Sequence, residues 1–287
     1  MQRDEGQAPG GPACREPVSG KTALAFWDCH AAIGRWTLPP PAGALDVPGL
    51  VEELARAGIA GALVHHGLGR DYDPAAGNAV LMGELGTAPA QMEDAHRTAP
   101  GAAPARLVPC VTLLPSHTGE FPPPDEHIPA LIGQGVRAVR LYPRSHNFSL
   151  EEWCAGEILG ALERHRLPLS IDLSETDWGT LHGVLGAHPA LPVIVTRVNY
   201  RQERFVYPLL RQHPTLHVEV SLFQGHRAIE EVVGRFGPRQ LLFGTGLPFY
   251  DAGAPMVMVA RADVGAGAQQ AIGGGNLLRL LREVVVS

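Results

Sequence analysis

Histidines and carboxylates stand at the ends of several apolar segments of this sequence. His30 follows the run TALAFW, His65 follows GALV, and Asp172 ends LPLSID. Imidazole and carboxylate groups are ligands for divalent ions such as zinc and manganese, and they also form proton-transfer pairs. These residue types predict either a divalent metal held by His30, His65 and Asp172, or metal-free acid–base chemistry at His30 and Asp172.

Other polar residues in comparable positions are suited to binding a substrate. Arg140 and Tyr142 end one apolar segment, while Arg197 and Glu219 stand in two later ones. A guanidinium binds carboxylates and phosphates through paired hydrogen bonds, so these residues predict a small acidic substrate. His146, just past Tyr142, is a further candidate for proton transfer. The alternative is that the arginines and carboxylates only neutralise one another.

Eight apolar segments of strand length would position these residues. They lack strict alternation of apolar and polar residues, which is typical of strands covered on both faces. They span residues 22–30, 61–66, 106–114, 136–143, 167–174, 191–198, 216–223 and 240–248.

Helix-like segments separate these strands. The segment 46–58 begins with an Asp46 cap and ends at a glycine, and 149–165 opens with a capping-box spacing of Ser149 and Glu152. Eight alternating units predict a single (β/α)8 barrel with its site at the carboxyl ends of the strands. A doubly wound open sheet is the alternative, but no GxGxxG follows the first strand.

Composition narrows the functional class. The net charge is −6 without a basic run, and no apolar stretch reaches the ~20 residues of a membrane span, so neither nucleic acid nor membrane is an expected partner. Residues 1–20 are rich in glycine, proline and charge, which predicts a disordered tail before a barrel domain over 21–287. The four scattered cysteines and the lack of a signal-peptide pattern favour reduced thiols in a cytoplasmic protein.

Four segments resemble a known family. DCHAAIG, GVRAVRLYP, FGPRQLLFGTGLPF and GGGNLLRLL are similar to motifs of the amidohydrolase-related (type 2) family of metal-dependent hydrolases and decarboxylases, and they occur in the same order over about residues 22–282. The resemblance implies a (β/α)8 barrel, often with zinc, that hydrolyses or decarboxylates small acids; dimers are common for this fold, so a homodimer is one expected assembly.

The chain departs from the family pattern at the metal ligands. Where the resemblance implies ligands, this sequence has Ala32 after the first strand, Asp172 and Arg197 in place of two histidines, and Gly246 in place of an aspartate. Catalytic zinc needs about three protein ligands, and a fixed arginine charge repels a cation. Three hypotheses follow: an enzyme with a relocated site, a metal-free pseudoenzyme that binds a small anion, and an inert structural partner.

Several residues receive structural predictions. Cys29 is expected to be a packed thiol, and His217 to lie at the end of the barrel opposite the site. Asn276 is expected to cap a helix. Because adjacent residues of a strand face opposite ways, at most one of His65 and His66 can point into the barrel.

Overall fold

The computed structural model describes residues 24–86 and 104–285, which form a barrel of eight parallel strands. Each strand pairs with the next one in sequence. Strands β1 to β8 are Phe26–Ile33, Ile59–His66, Arg106–Thr112, Ala138–Arg140, Leu169–Asp172, Val193–Thr196, Leu216–Glu219 and Leu241–Leu242.

Hydrogen bonds between the first strand and the end of the last close the barrel. The amide of Cys29 donates to the carbonyl of Phe243 at 3.0 Å, and the amide of Gly246 donates to the carbonyl of His30 at 2.9 Å. An open sheet would leave both of these strands as edges. The predicted (β/α)8 barrel is therefore confirmed, and the alternative of an open sheet is wrong.

Helices cover the outside of the barrel. Asp46 caps α1 by accepting a hydrogen bond from the Gly49 amide at 2.8 Å. The described helices α1 to α11 are Val47–Ala57, Leu68–Asp71, Pro74–Leu85, Pro124–Gly133, Glu152–Arg164, Trp178–Ala187, Glu203–Gln212, Ala228–Phe236, Gly253–Arg261, Ala266–Gln270 and Asn276–Arg282.

The start of α5 differs from the predicted one. The helix begins at Glu152 with Glu151 as its N-cap residue, not at Ser149. The Ser149 hydroxyl accepts a hydrogen bond from the Glu151 amide at 3.2 Å, so this serine closes the turn before the helix. The predicted capping box at Ser149 and Glu152 is therefore wrong.

The apolar core has an outer and an inner layer. The outer layer packs the sheet against the helices, and the inner layer fills the barrel, where leucines of α11 close the end at which the strands begin. Cys29 belongs to the inner layer, and burial raises the pKa of its thiol well above the usual value, which is consistent with the predicted packed thiol. Asn276 is the first residue of α11, and its side-chain amide donates to the carbonyls of Pro238 and Leu241 rather than to the end of a helix.

Two further predictions concern the N-terminal tail and membrane-spanning segments. The predicted N-terminal tail, residues 1–20, lies outside the described residues. Within the described ranges, no helix is long and apolar enough to cross a membrane.

Candidate functional site

A buried arginine occupies the centre of the barrel where the strands end. Arg140 of β4 is only 1% exposed. Its Nη2 lies 2.7 Å from Asp172 Oδ1 and donates to Thr196 Oγ1 at 3.2 Å, and its Nη1 donates to Ser170 Oγ at 2.7 Å. Buried charges need such partners, so Arg140 and Asp172 form one neutral, hydrogen-bonded unit.

The pKa of Asp172 reflects this pairing. Burial by itself would raise the pKa of the carboxyl, but Arg140, with smaller contributions from His30 and Arg197, holds the pKa well below its usual range. Asp172 is therefore an ionised carboxylate at neutral pH and has no proton to donate.

His30 lies between this ion pair and a second buried carboxylate. Its Nε2 is 3.5 Å from Arg140 Nη2, and its Nδ1 is 3.7 Å from Glu219 Oε2. A guanidinium only donates hydrogen bonds, so Nε2 is the accepting nitrogen and a neutral His30 carries its proton on Nδ1.

The backbone at His30 is fixed by Asp28. One Asp28 oxygen accepts from the His30 amide at 2.8 Å and from the Thr245 amide at 3.0 Å, and the other accepts from the Thr245 hydroxyl at 2.5 Å. Burial raises the pKa of this carboxyl, and these hydrogen bonds only partly offset the effect. Asp28 thus ties β1 to the segment that follows β8 rather than facing a ligand.

His65 is the inward member of the histidine pair on β2. Its ring stacks on His30 with centroids 5.9 Å apart, and Trp36 meets it edge-on at 5.9 Å. Burial, followed by the charge of Arg140, lowers the pKa of His65 far below the usual value, so this imidazole is neutral. His66 instead accepts a hydrogen bond from the Leu68 amide at 3.1 Å, as the alternation of a strand requires.

A pocket of about 480 Å³ opens above these residues. Arg197 and Arg70 extend into it with side chains that are 31% and 37% exposed. The pocket is lined by His30, Ala32, Trp36, Thr37, Leu38, His65, Arg70, Asp71, Tyr142, Asp172, Ser174, Arg197, Gly246, Leu247 and Phe249.

Unpartnered hydrogen-bond donors concentrate at this pocket. In the described part of the chain, ten buried side-chain polar atoms lack a hydrogen-bond partner, and six of them belong to Arg140 or to residues that line the pocket. Buried polar atoms are normally paired, so such a concentration points to a missing partner. The six atoms are His30 Nδ1, Trp36 Nε1, Arg70 Nε, Arg140 Nε, Tyr142 OH and Arg197 Nε.

Sequence comparison places the chain in a family. A family model described as amidohydrolase matches residues 27–282. The chain belongs to the amidohydrolase family. Among curated proteins, none matches this amidohydrolase in sequence.

Solved structures share the fold of this chain. 5-Carboxyvanillate decarboxylase from Sphingomonas paucimobilis has a TM-score of 0.64 at 14% identity, covering 92% of this chain and 100% of its own. A probable 2-pyrone-4,6-dicarboxylic acid hydrolase from Acinetobacter baumannii, with citric acid bound, has a TM-score of 0.61 at 14% identity and covers 90% of this chain and 100% of its own. A dihydroxybenzoic acid decarboxylase from Polaromonas, with bound manganese and 2-nitroresorcinol, has a TM-score of 0.62 at 12% identity and covers 91% of this chain and 97% of its own.

The four positions at which the sequence is predicted to depart from the metal ligands of the family all line the pocket. Ala32, Asp172, Arg197 and Gly246 are among its lining residues. Within residues 24–86 and 104–285, no three His, Cys, Asp or Glu side chains are grouped so that they could hold a metal ion. His30, His65 and Asp172, predicted as metal ligands, lie near one another, but His30 Nε2 and Asp172 Oδ1 are 4.0 Å apart with Arg140 beside both.

The remaining predicted residues take different places in this amidohydrolase. Tyr142 lies in the pocket wall, and burial raises the pKa of its hydroxyl, which therefore remains a donor. Glu219 is fully buried and accepts from the Ser221 hydroxyl at 2.9 Å, facing His30 rather than the pocket opening. His146 is not a lining residue: its Nε2 lies 2.9 Å from the carbonyl oxygen of Arg70, and its ring packs against Tyr142.

Sequence reasoning missed several residues of the pocket, among them Trp36, Arg70 and Phe249. Trp36 and Phe249 lie in the loops after β1 and β8, and Arg70 lies in the short α2. None of the three is a polar residue at the end of an apolar segment, which is the pattern that predicts the other residues of the site. Arg70 could have been suspected from GRDYD, a charged cluster directly after β2.

Proposed function

We propose that this amidohydrolase binds a small organic anion at the barrel mouth and does so without a resident divalent metal. The observation that carries the proposal is the set of unpartnered donors around the pocket. The Nε of Arg197 and the indole nitrogen of Trp36, which both belong to lining residues, can only donate hydrogen bonds. A ligand that satisfies them must bring acceptor oxygens, as a carboxylate does.

Arg197 is the cation that would meet the ligand. Asp172 lies 2.7 Å from Arg140 but 3.6 Å from the Nε of Arg197, so Arg140 is its main partner. Arg70 is already paired with Asp71 and Glu175. The charge of Arg197 is therefore the least compensated of the three, and it lies where a ligand would enter.

The residues present do not fit the metal that the family implies. A divalent ion bound by His30 and Asp172 would lie against the guanidinium of Arg140, which is 3.5 Å from the first and 2.7 Å from the second. Two like charges at that range repel strongly in a buried site. We infer that Arg140 supplies the positive charge that neutralises Asp172.

Thermal stability in the presence of small acids tests the proposal. Acetate, benzoate and citrate are the probes, and a ligand at about a hundredfold excess over its Kd should raise the Tm by roughly 5 °C. Arg197→Ala should abolish the rise. Arg201→Ala is the matched control, since Arg201 is exposed and stacks on Tyr200 away from the pocket lining. Equal stabilisation of Arg197→Ala and the wild type would contradict the proposal.

Elemental analysis of protein purified without chelator tests the absence of a resident metal. We expect zinc, manganese and iron each far below one equivalent per chain, also after soaking with the ions and desalting. Near-stoichiometric metal would overturn the inference about Arg140.

A metal-independent hydrolase or decarboxylase is the second candidate function. The observation that favours it is the Nδ1 of His30, which is buried without a hydrogen-bond partner in the described structure. A Cβ placed on Gly246 would lie 3.8 Å from this nitrogen, so the glycine leaves it open towards the pocket. The Nδ1–H of His30 would donate a hydrogen bond to a substrate oxygen and stabilise the negative charge that develops there.

Turnover of small lactones and of aromatic acids tests this second candidate. His30→Gln should remove activity with the fold intact, whereas His146→Gln should leave it unchanged, because His146 does not line the pocket. If His146→Gln lost turnover and His30→Gln kept it, the catalytic role would belong to His146 and not to His30.

A further inference from the structure

Two aromatic rings of the loop after β8 hold the side chain of Arg197. The Cζ of Arg197 lies 5.4 Å from the ring centroid of Phe249 and 5.5 Å from that of Tyr250. Guanidinium groups are attracted to ring faces at this range. Phe249 lines the pocket, whereas Tyr250 is not among its lining residues.

The backbone of Arg197 also has a special conformation. Its φ of 59° is left-handed, which is rare for a residue other than glycine, and its amide donates to Glu219 Oε2 at 3.4 Å. Within the described ranges, the side chain forms one ion pair, through Nε, with Asp172. The terminal nitrogens of the guanidinium are thus left for a ligand, and the two rings limit where they can point.

Because residue 246 is a glycine, there is room beside it for one of these rings. A Cβ on Gly246 would lie 2.7 Å from Cδ2 of Tyr250, closer than real Cβ contacts. The φ of Gly246 is 72°, and its carbonyl accepts from the amides of Phe249 and Tyr250 at 2.9 and 3.3 Å. A tight turn with a bare α-carbon therefore sets the Tyr250 ring against the arginine.

We infer that Tyr250 is a positioning residue for Arg197 and that Gly246 is required for its placement. At the position where the family pattern has an aspartate, this chain has a turn that places an aromatic ring to orient a cation. This inference rests on the proposed function in one respect, that Arg197 binds the anion. The geometry of the ring and the arginine does not depend on it.

Benzoate affinity, measured by isothermal titration calorimetry, tests the coupling. Tyr250→Leu keeps apolar bulk but removes the ring face, and we expect its Kd to rise about fivefold to tenfold. The Kd of Tyr250→Phe should stay within about twofold of the wild-type Kd, because phenylalanine keeps the ring face. Tyr200→Leu is the matched control, because Tyr200 is also exposed and stacks on Arg201 instead.

Gly246→Ala tests the second half of the inference. The added methyl should displace the Tyr250 ring and raise the Kd by a similar factor. The double variant Gly246→Ala/Tyr250→Leu should bind no more than about twofold more weakly than either single variant, since both remove the same contact. Fully additive losses would mean that Gly246 acts independently of Tyr250.

A measurement on the ligand-free protein separates this inference from the proposed function. The Nε–H signal of Arg197 in a nitrogen–proton NMR spectrum, assigned by its loss in Arg197→Lys, reports how rigidly the guanidinium is held. We expect an ordered signal in the wild type and in Tyr250→Phe, and a mobile one in Tyr250→Leu. If no probe binds the wild type, the proposed function fails, and this signal still decides the positioning role. An ordered signal in Tyr250→Leu would overturn the inference.

Discussion

Arg140 has its charge in the centre of the barrel mouth with almost no exposure to water. A buried cation is tolerated only when its partners compensate the lost hydration, and here Asp172, Ser170 and Thr196 do so. At the scale of single residues, the site is therefore a compensated ion pair of Arg140 and Asp172 beside Arg197, whose charge is less fully compensated. Without Asp172, Arg140 would be a buried charge without an ion-pair partner in the described structure.

Replacing Arg140 should strongly destabilise the protein. Arg140→Met removes the main cation partner of the buried Asp172 carboxylate and leaves only the longer contact with Arg197, and we expect a loss of about 3–5 kcal/mol in the free energy of unfolding. Chemical denaturation at neutral pH measures it. Arg235→Met is the control, because Arg235 forms an exposed pair with Glu231 on α8 and should cost less than about 1 kcal/mol. Equal costs would argue against a tightly coupled ion pair.

At the scale of elements, close approach between neighbouring strands determines where side chains fit. Gly61 of β2 faces Trp27 of β1, and a Cβ on it would lie 2.7 Å from that ring and 2.7 Å from the carbonyl oxygen of Arg106. The indole thus packs directly on the backbone of the next strand. The barrel interior at its closed end depends on this contact.

Two glycine substitutions should have opposite effects on stability. Gly61→Ala forces the backbone and the indole of Trp27 apart, and we expect a loss of about 1–3 kcal/mol. Gly183→Ala lies on an exposed turn of α6 with nothing within 4 Å of the new Cβ, and it should stabilise by about 0.4–1 kcal/mol. Thermal or denaturant unfolding of both variants checks the sign. A neutral Gly61→Ala would mean that the strands adjust freely.

At the scale of the whole molecule, buried titratable groups at both ends of the barrel make the free energy of unfolding depend on pH. At the end opposite the pocket, burial, followed by the charge of Arg279, lowers the pKa of His217 to about 3. Its stabilising contribution is present above the usual histidine pKa of 6.5 and is lost as the pH falls towards 3. Because the pKa of Asp172 is lowered, its contribution to the free energy of unfolding falls only when the pH drops below the usual pKa of 3.8.

Replacing His217 should flatten the acid side of the stability profile. An unfolded histidine takes up a proton between pH 6.5 and 3 that folded His217 does not, so it contributes a slope of about 1.4 kcal/mol per pH unit in that window. His217→Asn should remove this slope, and the exposed His226→Asn should not. Denaturant unfolding at several pH values from 4 to 7 provides the measurement. An unchanged slope in His217→Asn would show that this histidine is not the responsible group.

The fold followed from the sequence because its signals are local and repeated. Eight apolar segments separated by helices leave few arrangements other than a barrel, since parallel strands need a crossover and crossovers are right-handed. The same logic places the ends of all strands at one mouth. It is why His30, Tyr142, Asp172 and Arg197, chosen from the sequence alone, line one pocket.

Only the tertiary structure decided how those residues are paired. The sequence places Arg140 at a strand end, but its length lets it reach any of several neighbours, and packing selects Asp172. Phe249 and Tyr250 come from a loop without periodic pattern, so nothing local predicts their contact with Arg197. His146 follows the end of its strand yet lies outside the pocket lining, because the turn after Tyr142 directs it to the backbone of Arg70. Local sequence determines which side chains reach the barrel mouth, and long-range packing determines which charges remain free to bind a ligand.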